Sequence, residues 1–483
     1  MGARQGSVAV FAAALAAASC TDRALPAPES PAEQIFAATA SWPAYVGDND
    51  APPAEKALDV LFMVDDSSSM TQMQQTLAAG FTAFTGVIDA LPGGTPDLHI
   101  GVVSSDMGAG DGSSIQGCSV GGTGDGGRLQ SAPRGACTDT TLAPGANYIA
   151  LGLDPVTGNR VANYGASSLA DVFGCIALLG AQGCGFEHQL SSVRHALDPK
   201  LAPPENAGFL RPDAFLAVIL LTNEDDCSAP AGSPLFSPTS SMLKSQFGPT
   251  QNFQCNEFGH LCQVNGQLQA PSRYAAASYD GCVSNDHGML DSVADFVKTL
   301  RGLKSDPAKV FVAALAGPTT PYTVTLRAAP VPDVGPWPTI QHSCGDPAGA
   351  GPFADPAVRL GQLTQSLGAH GTFESICNAD FSAPLRDIAT LMADPLGPAC
   401  IPPPPAPGLG CTVVDRWTDA AGKKQAAVLP SCADPAATLP CWSLVDDAAC
   451  GAGSHRLQIT RTADPIPAGL MTAIDCSGQS LSP

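Results

Sequence analysis

Basic residues are scarce in this chain of 483 residues. Lys and Arg number 23 against 44 Asp and Glu, for a formal net charge of -21. Such an imbalance repels phosphate, so nucleic acid and anionic lipid are disfavoured as partners. It suits a soluble surface that meets cations. Beyond the first twenty residues no apolar run is long enough to span a bilayer. The marks of common catalysts are also missing. The glycine-rich stretch 106–165 is not followed by Gly-Lys-Ser/Thr, so it is not a phosphate loop. His188 and His195 lack the His-Glu-x-x-His spacing of a zinc protease. No strand-to-helix elbow of the Gly-x-Ser-x-Gly type is found, and no Ser/His/Asp set can be assembled. Catalysis is therefore not expected.

What is abundant is cysteine, glycine and proline: 17, 50 and 44 residues. That many cysteines do not suit a reducing cytosol, and the glycine and proline predict long loops around a modest core. The start reads as a secretion signal over residues 1–20, with Arg4 ahead of a short apolar run from Val8 to Ala18. Ala17-Ala18-Ser19-Cys20 resembles a bacterial lipobox, which would make Cys20 the acylated N-terminus and a lipid the sole membrane contact. Ordinary cleavage, leaving Cys20 as a spare thiol, is the alternative; the even number of remaining cysteines favours the lipoprotein. The expected location is extracytoplasmic, on a bacterial cell envelope. Residues 21–55, rich in Ala, Pro and Ser, read as a tether.

The chain is organised around residues 58–70. Leu58 to Val64 is nearly all apolar, as a strand covered on both faces should be. The turn behind it spaces Asp65, Ser67 and Ser69 at alternate positions. One carboxylate and two hydroxyls suit Mg2+, Mn2+ or Ca2+; the same residue types also cap helices. Met73, Leu77, Phe81, Phe84, Ile88 and Leu91 then mark an amphipathic helix over 71–91, ended by Pro92-Gly93-Gly94. Further strands are expected at 98–105, 214–222, 309–316 and 371–377, and helices from 185, over 288–303, 358–367 and 381–391. This alternation predicts an α/β fold: a doubly wound, mainly parallel sheet with helices on both faces.

The D-x-S-x-S string Asp65-Asp66-Ser67-Ser68-Ser69 resembles the opening of the metal-ion-dependent adhesion site in von Willebrand factor A domains. The resemblance covers residues 56–395 in pattern. It implies that Ser67 and Ser69 ligate a divalent cation directly and that Asp65 holds it directly or through water. An ion held by hydroxyls keeps most of its charge and accepts a carboxylate from a partner protein. The family's second element is a Thr ligand; its position here falls near Cys184, where no Thr stands, and Glu187 is the candidate to project there. The third element, Thr-Asp-Gly, is altered: Thr222 matches, Asn223 replaces the Asp and Glu224 the Gly. Asn223 can still ligate through its amide oxygen, and Glu224, Asp225 or Asp226 can restore the charge. The resulting expectation is an envelope-anchored adhesion protein, or else a disulfide-hardened scaffold with a vestigial site.

For the cysteines, Cys118 with Cys137, Cys175 with Cys184 and Cys344 with Cys377 are the expected bridges. Cys227, Cys255, Cys262 and Cys282 form two more, whose pairing the sequence leaves open. Asp106, Asp111 and Asp125 lack an EF-hand spacing and read as solvated loop carboxylates. A Pro-rich spacer over 396–410 precedes a small cystine-rich module, 411–483, from which no function can be read.

Overall fold

The structure is a computed structural model. It describes residues 57–89, 95–109, 118, 124–132, 134, 137, 142–153, 159–230, 232–236, 246–248, 253–328, 337–345 and 351–396, and toward the termini 40–43, 400–401, 411–418, 424–446, 455–461 and 471–475. Cys20, the leader, most of the tether, Asp111 and residues 402–410 lie outside the described residues.

A run of apolar side chains has no solvent face, so the strand it forms must be covered on both sides. Three such runs make the centre of the main sheet: β1 (Ala57–Val64), β5 (Phe215–Leu221) and β6 (Val310–Ala316). The other strands are β2 (Asp97–Ser104), β3 (Ile149–Leu153), β4 (Arg160–Ala162) and β7 (Gly371–Ser375). The order across the sheet is β7-β6-β5-β1-β2-β3-β4. β7 through β2 run parallel; β3 and β4 close one edge antiparallel. The mainly parallel, doubly wound sheet expected from the sequence is therefore present.

Alternation along β1 divides the core in two. Leu58, Val60, Phe62 and Val64 face α1 (Thr71–Asp89), α2 (Leu169–Ala177) and α7 (Ser382–Leu396). Leu61 and Met63 face α3 (Gln189–Leu197), α5 (Val293–Gly302) and α6 (Val358–Leu367). The first layer is aromatic at its middle: Phe81 stacks on Phe173 with centroids 3.7 Å apart, and Phe62 lies 4.6 Å from Phe173. Helix α2 was not foreseen. Its start is a capping box, with Ser168 and Asp171 each bonding the other's backbone N–H.

The chain between β5 and β7 departs from the expected loops. A short helix, α4 (Phe253–Gly259), leads into a five-stranded antiparallel sheet. Its strands are His260–Val264, Gln267–Gln269, Ala277–Ser284, Tyr322–Arg327 and Trp337–Ile340. Phe253, Tyr279, Tyr322, Val324 and Ile340 form its own small core.

Two expected bridges are corrected. Cys118 pairs with Cys184, and Cys137 with Cys175. Cys175 is carried by α2, while Cys184 sits with Cys118 and Phe186 in a separate cluster, so nearness in sequence misled. Cys344 does pair with Cys377. The open four close as Cys227–Cys255 and Cys262–Cys282.

The C-terminal module is made of small antiparallel sheets. Thr412–Thr418 pairs with Lys424–Leu429 and with Met471–Asp475. Ala40–Pro43, from the stretch read as a tether, adds a strand beside Met471–Asp475. Cys441–Asp446 pairs with His455–Thr460, which also takes Cys400–Ile401. Val413 and Leu429 are buried against Trp442, Leu444, Leu457 and Ile459. A bridge joins Cys432 to Cys441.

Candidate metal centre

Successive strands add to one side of β1 through β2 and to the other through β5, so the crevice between the ends of β1 and β5 is the switch point of the sheet. The turns after these strands must meet there. The Asp65 N–H donates to Leu221 O at 2.9 Å, which carries the strand pairing into the turn.

Asp65 is fully buried and surrounded by donors. Its Oδ1 accepts from the Ser67 N–H at 2.8 Å and the Ser105 hydroxyl at 3.2 Å. Its Oδ2 accepts from the Thr222 hydroxyl at 2.7 Å. Burial nonetheless raises the carboxyl above the usual range, outweighing these bonds. Ser67 and Ser69 share a hydroxyl hydrogen bond of 3.3 Å, and the Ser69 hydroxyl donates to Asn223 Oδ1 at 3.0 Å. Four predicted residues, Asp65, Ser67, Ser69 and Asn223, are thus drawn together, and Thr222 joins them. Ser69 is half-buried, so the group reaches the surface at that end.

Asp225 belongs elsewhere, which corrects the expectation that it joins the site. Its Oδ2 is 2.8 Å from His260 Nε2 and accepts from the Arg359 N–H at 2.8 Å; its Oδ1 accepts from the Leu360 N–H at 3.2 Å. Both amides open α6, whose unpaired N–H groups favour a carboxylate. Asp226 turns the same way, onto the fully buried Arg359. Glu224 stays near the site: its carbonyl accepts from the Thr222 hydroxyl at 3.1 Å. Its carboxyl bonds that of Glu187, whose pKa is raised well above normal by burial first, then by the charges of Glu224 and Asp65. Glu187, Glu224, Asp225 and Asp355 line one small pocket beside the crevice.

The other side of the turn has its own chemistry, which the sequence did not disclose. Asp66 is buried near Asp106 and Asp125, with Arg134 Nη1 at 3.5 Å. Its carboxyl is pushed up to about 8 by burial and then by Asp65, Asp106 and Asp125. Asp106 and Asp125, read as solvated, are partly buried and bonded: Asp106 to the Gly108 N–H and Asp125 to Ser104 and Arg134.

The donor set fits a small, hard cation. All side-chain acceptors around Asp65 are oxygens, and no Lys or Arg is bonded to Asp65 among the described residues. Asn223 Nδ2 is buried without a hydrogen-bond partner. Among the described residues no three His, Cys, Asp or Glu side chains converge as a metal group, so hydroxyl and amide oxygens would have to carry much of any ligation. The string Gly117-Cys118-Ser119-Val120-Gly121 does spell Gly-x-Ser-x-Gly, which corrects the reading that the sequence holds none; Ser119, at its nucleophile position, lies outside the described residues, and the neighbouring Cys118 is bridged to Cys184.

No protein-family model and no curated protein matches the chain. Solved structures do. The pilus adhesin SpaC from Lactobacillus rhamnosus GG, in its open conformation, is 12% identical over 87% of this chain and 38% of that one, with a TM-score of 0.30. A von Willebrand factor type A protein from Catenulispora acidiphila is 12% identical over 87% of this chain and 57% of that one, at a TM-score of 0.29. Proximal thread matrix protein 1 from the mussel byssus is 12% identical over 72% and 51%, at 0.27. The chain thus spans between about two fifths and three fifths of the solved chains it matches.

Proposed function

We propose that this is a non-catalytic binding protein of the von Willebrand factor A type, held at a cell envelope by an N-terminal lipid. In this reading the Asp65 turn holds a divalent cation that engages a carboxylate of a partner protein. The observation that carries it is the oxygen chain at the switch point: Asp65 to Thr222 at 2.7 Å, Ser67 to Ser69 at 3.3 Å and Ser69 to Asn223 at 3.0 Å. Asp65, Ser67, Ser69 and Asn223 would hold the ion, which would supply a Lewis-acidic point for an incoming carboxylate. The chain's own part is to fix these oxygens on the ends of two central strands and to exclude water from all but the Ser69 side. Six disulfides among the described residues support an oxidising, extracellular setting.

One observation favours a second reading, a scaffold with a vestigial site. The same oxygens already bond to one another, Ser67 with Ser69, Ser69 to Asn223 Oδ1 and Thr222 to Asp65 Oδ2. Titration calorimetry with Mn2+ decides between the two. Wild type should release or absorb heat in a saturable curve and melt at a higher temperature with the ion than with a chelator. Asp65→Ala should do neither. Identical heats and melting for both proteins would leave only the scaffold.

A further inference from the structure

We infer that Gln74 is a positioning residue of the Asp65 turn, and that through it the loop 178–183 backs the oxygens of that turn. This rests on the reading of the turn as a cation site and adds to it a residue that touches no ion.

Gln74 interrupts the apolar face of α1. It lies in the first turn of that helix, among the buried Met73, Leu77, Phe81 and Phe84, and is 1% exposed. A buried amide is tolerated where its donors and its acceptor are met. Here backbone groups meet them. Nε2 donates to Asp65 O and to Gly180 O, both at 2.8 Å, and Oε1 accepts from the Gly180 N–H at 3.0 Å. Two carbonyls stand at one end of the amide and an N–H at the other, so the network fixes which end is nitrogen. An apolar side chain of like size would fill the same space. What the amide alone adds is a tie between the helix, the turn and a loop 106 residues away.

That tie brackets the turn. The Asp65 N–H is held by Leu221 O and its carbonyl by Gln74, so the peptide planes on both sides of Asp65 are fixed. The next carbonyl, Asp66 O, accepts from the Gly183 N–H at 2.8 Å. Two consecutive carbonyls of the turn are therefore occupied, one by the clamp and one by the loop itself. The Asp65 carboxylate and the Ser69 hydroxyl are left to meet Thr222 and Asn223. The loop is shaped for this contact. Gly180 has φ +87° with nothing near the site of a Cβ, so its left-handed backbone, not crowding, calls for glycine. A Cβ on Gly183 would lie 2.2 Å from Asp66 Oδ1 and 2.9 Å from Asp66 O, so loop and turn touch there without a side chain between them. The loop is itself anchored, by Leu179 in the core and by Cys184 bridged to Cys118. Gln74 thus passes the rigidity of an anchored loop to the turn, and a ligand set held by such outer hydrogen bonds binds without first having to be ordered.

The test uses the full chain, with Mn2+ alone as the probe in calorimetry and electron-spin resonance, and hydrogen exchange read at Gly180. The Gly180 amide should exchange slowly in wild type and fast in Gln74→Leu, with or without the ion. Gln74→Leu should weaken Mn2+ binding at least about tenfold, the loss that outer partners of metal ligands cause. It should also broaden the spectrum of the bound ion, because a loosened turn offers several geometries. A Gln74 that serves only the fold would lower the melting temperature and leave affinity and spectrum as in wild type. That result, or fast exchange at Gly180 in wild type, would overturn the inference and leave the cation reading intact. Should Gln74→Leu fail to fold, Gly180→Ala strains the clamp from the loop side. The same weakening and broadening are expected of it, and wild-type binding by that variant would count against the inference. Wild type that binds no Mn2+ would overturn the cation reading and this inference with it.

Discussion

Asn223 shows how one residue is held by others far from the site's chemistry. Its carbonyl accepts from the Asp355 N–H at 2.8 Å, and the Asp355 carboxylate accepts from the half-exposed His342 at 2.7 Å. His342 also stacks on Phe353, with centroids 4.2 Å apart. The bond to Asp355 raises the imidazole pKa, more than burial lowers it. A His raised in the folded state stabilises fully below its unfolded value of about 6.5, and that contribution is lost as pH rises through the folded value. On the acid side the pair ends when Asp355 takes up a proton, and burial raises that carboxyl above its usual range. The melting temperature of wild type should therefore exceed that of His342→Ala most just below about pH 6.5, and the excess should shrink as pH rises through the folded value. A constant difference across that range would mean that the imidazole acts by packing alone. None of this was legible in the sequence. Asp59 makes the same point: it reads as a blemish in an apolar strand, and its partners Arg211 and Lys304 are 152 and 245 residues away. Asp65, Ser67 and Ser69 were legible because they alternate within one turn, whereas the tie between Asn223 and Asp355 exists only in the fold.

Among elements, legibility followed hydrophobic period. β1, β5 and β6 are continuous apolar runs, and α6 was expected over 358–367, its observed ends. The inserted sheet was missed because its strands are short and mixed. Ala277–Ser284 carries Asp, Gly and Ser, and Tyr322–Arg327 is followed by Pro330, Pro332 and Pro336. Its buried partners, such as Tyr279 and Tyr322, are distant in sequence. Where β6 ends, Gly317 lets two elements touch. A Cβ there would lie 2.0 Å from Asp355 O, a backbone atom that cannot swing aside. Gly317→Ala must shift the segment that bonds Asn223. Overpacking of this kind costs about 1–3 kcal/mol, so urea unfolding should move to lower concentration and Mn2+ affinity should fall with it. A variant that loses stability but binds Mn2+ as before would uncouple Asp355 from the turn.

At the scale of the molecule, the cysteines draw the boundary that the chain's pattern only suggests. All ten between Cys118 and Cys377 are used in five bridges, and none of those bridges leaves the sheet's own span. Three of them hold the chain that surrounds the crevice: Cys118–Cys184 before Glu187, Cys227–Cys255 after Asp226, and Cys344–Cys377 beneath the Asp355 segment. Cys118, Cys184, Cys227 and Cys255 share one buried cluster with Phe186, Leu235 and Leu290, so the rim has a small core of its own, apart from the two that clothe the sheet. Each native bridge in a secreted domain is worth about 2–5 kcal/mol, and here that stabilisation falls on loops with little hydrophobic support. A fragment of residues 56–396 should accordingly fold alone and, after oxidation, show no thiol reactive toward a chromogenic disulfide in denaturant. Graded reduction should abolish its Mn2+ binding while the far-ultraviolet dichroism of the sheet and helices persists, because the rim depends on sulfur and the sheet on its apolar strands. Free thiols in the oxidised fragment would show that a bridge reaches into the C-terminal module. Simultaneous loss of binding and dichroism would show that rim and sheet unfold as one unit.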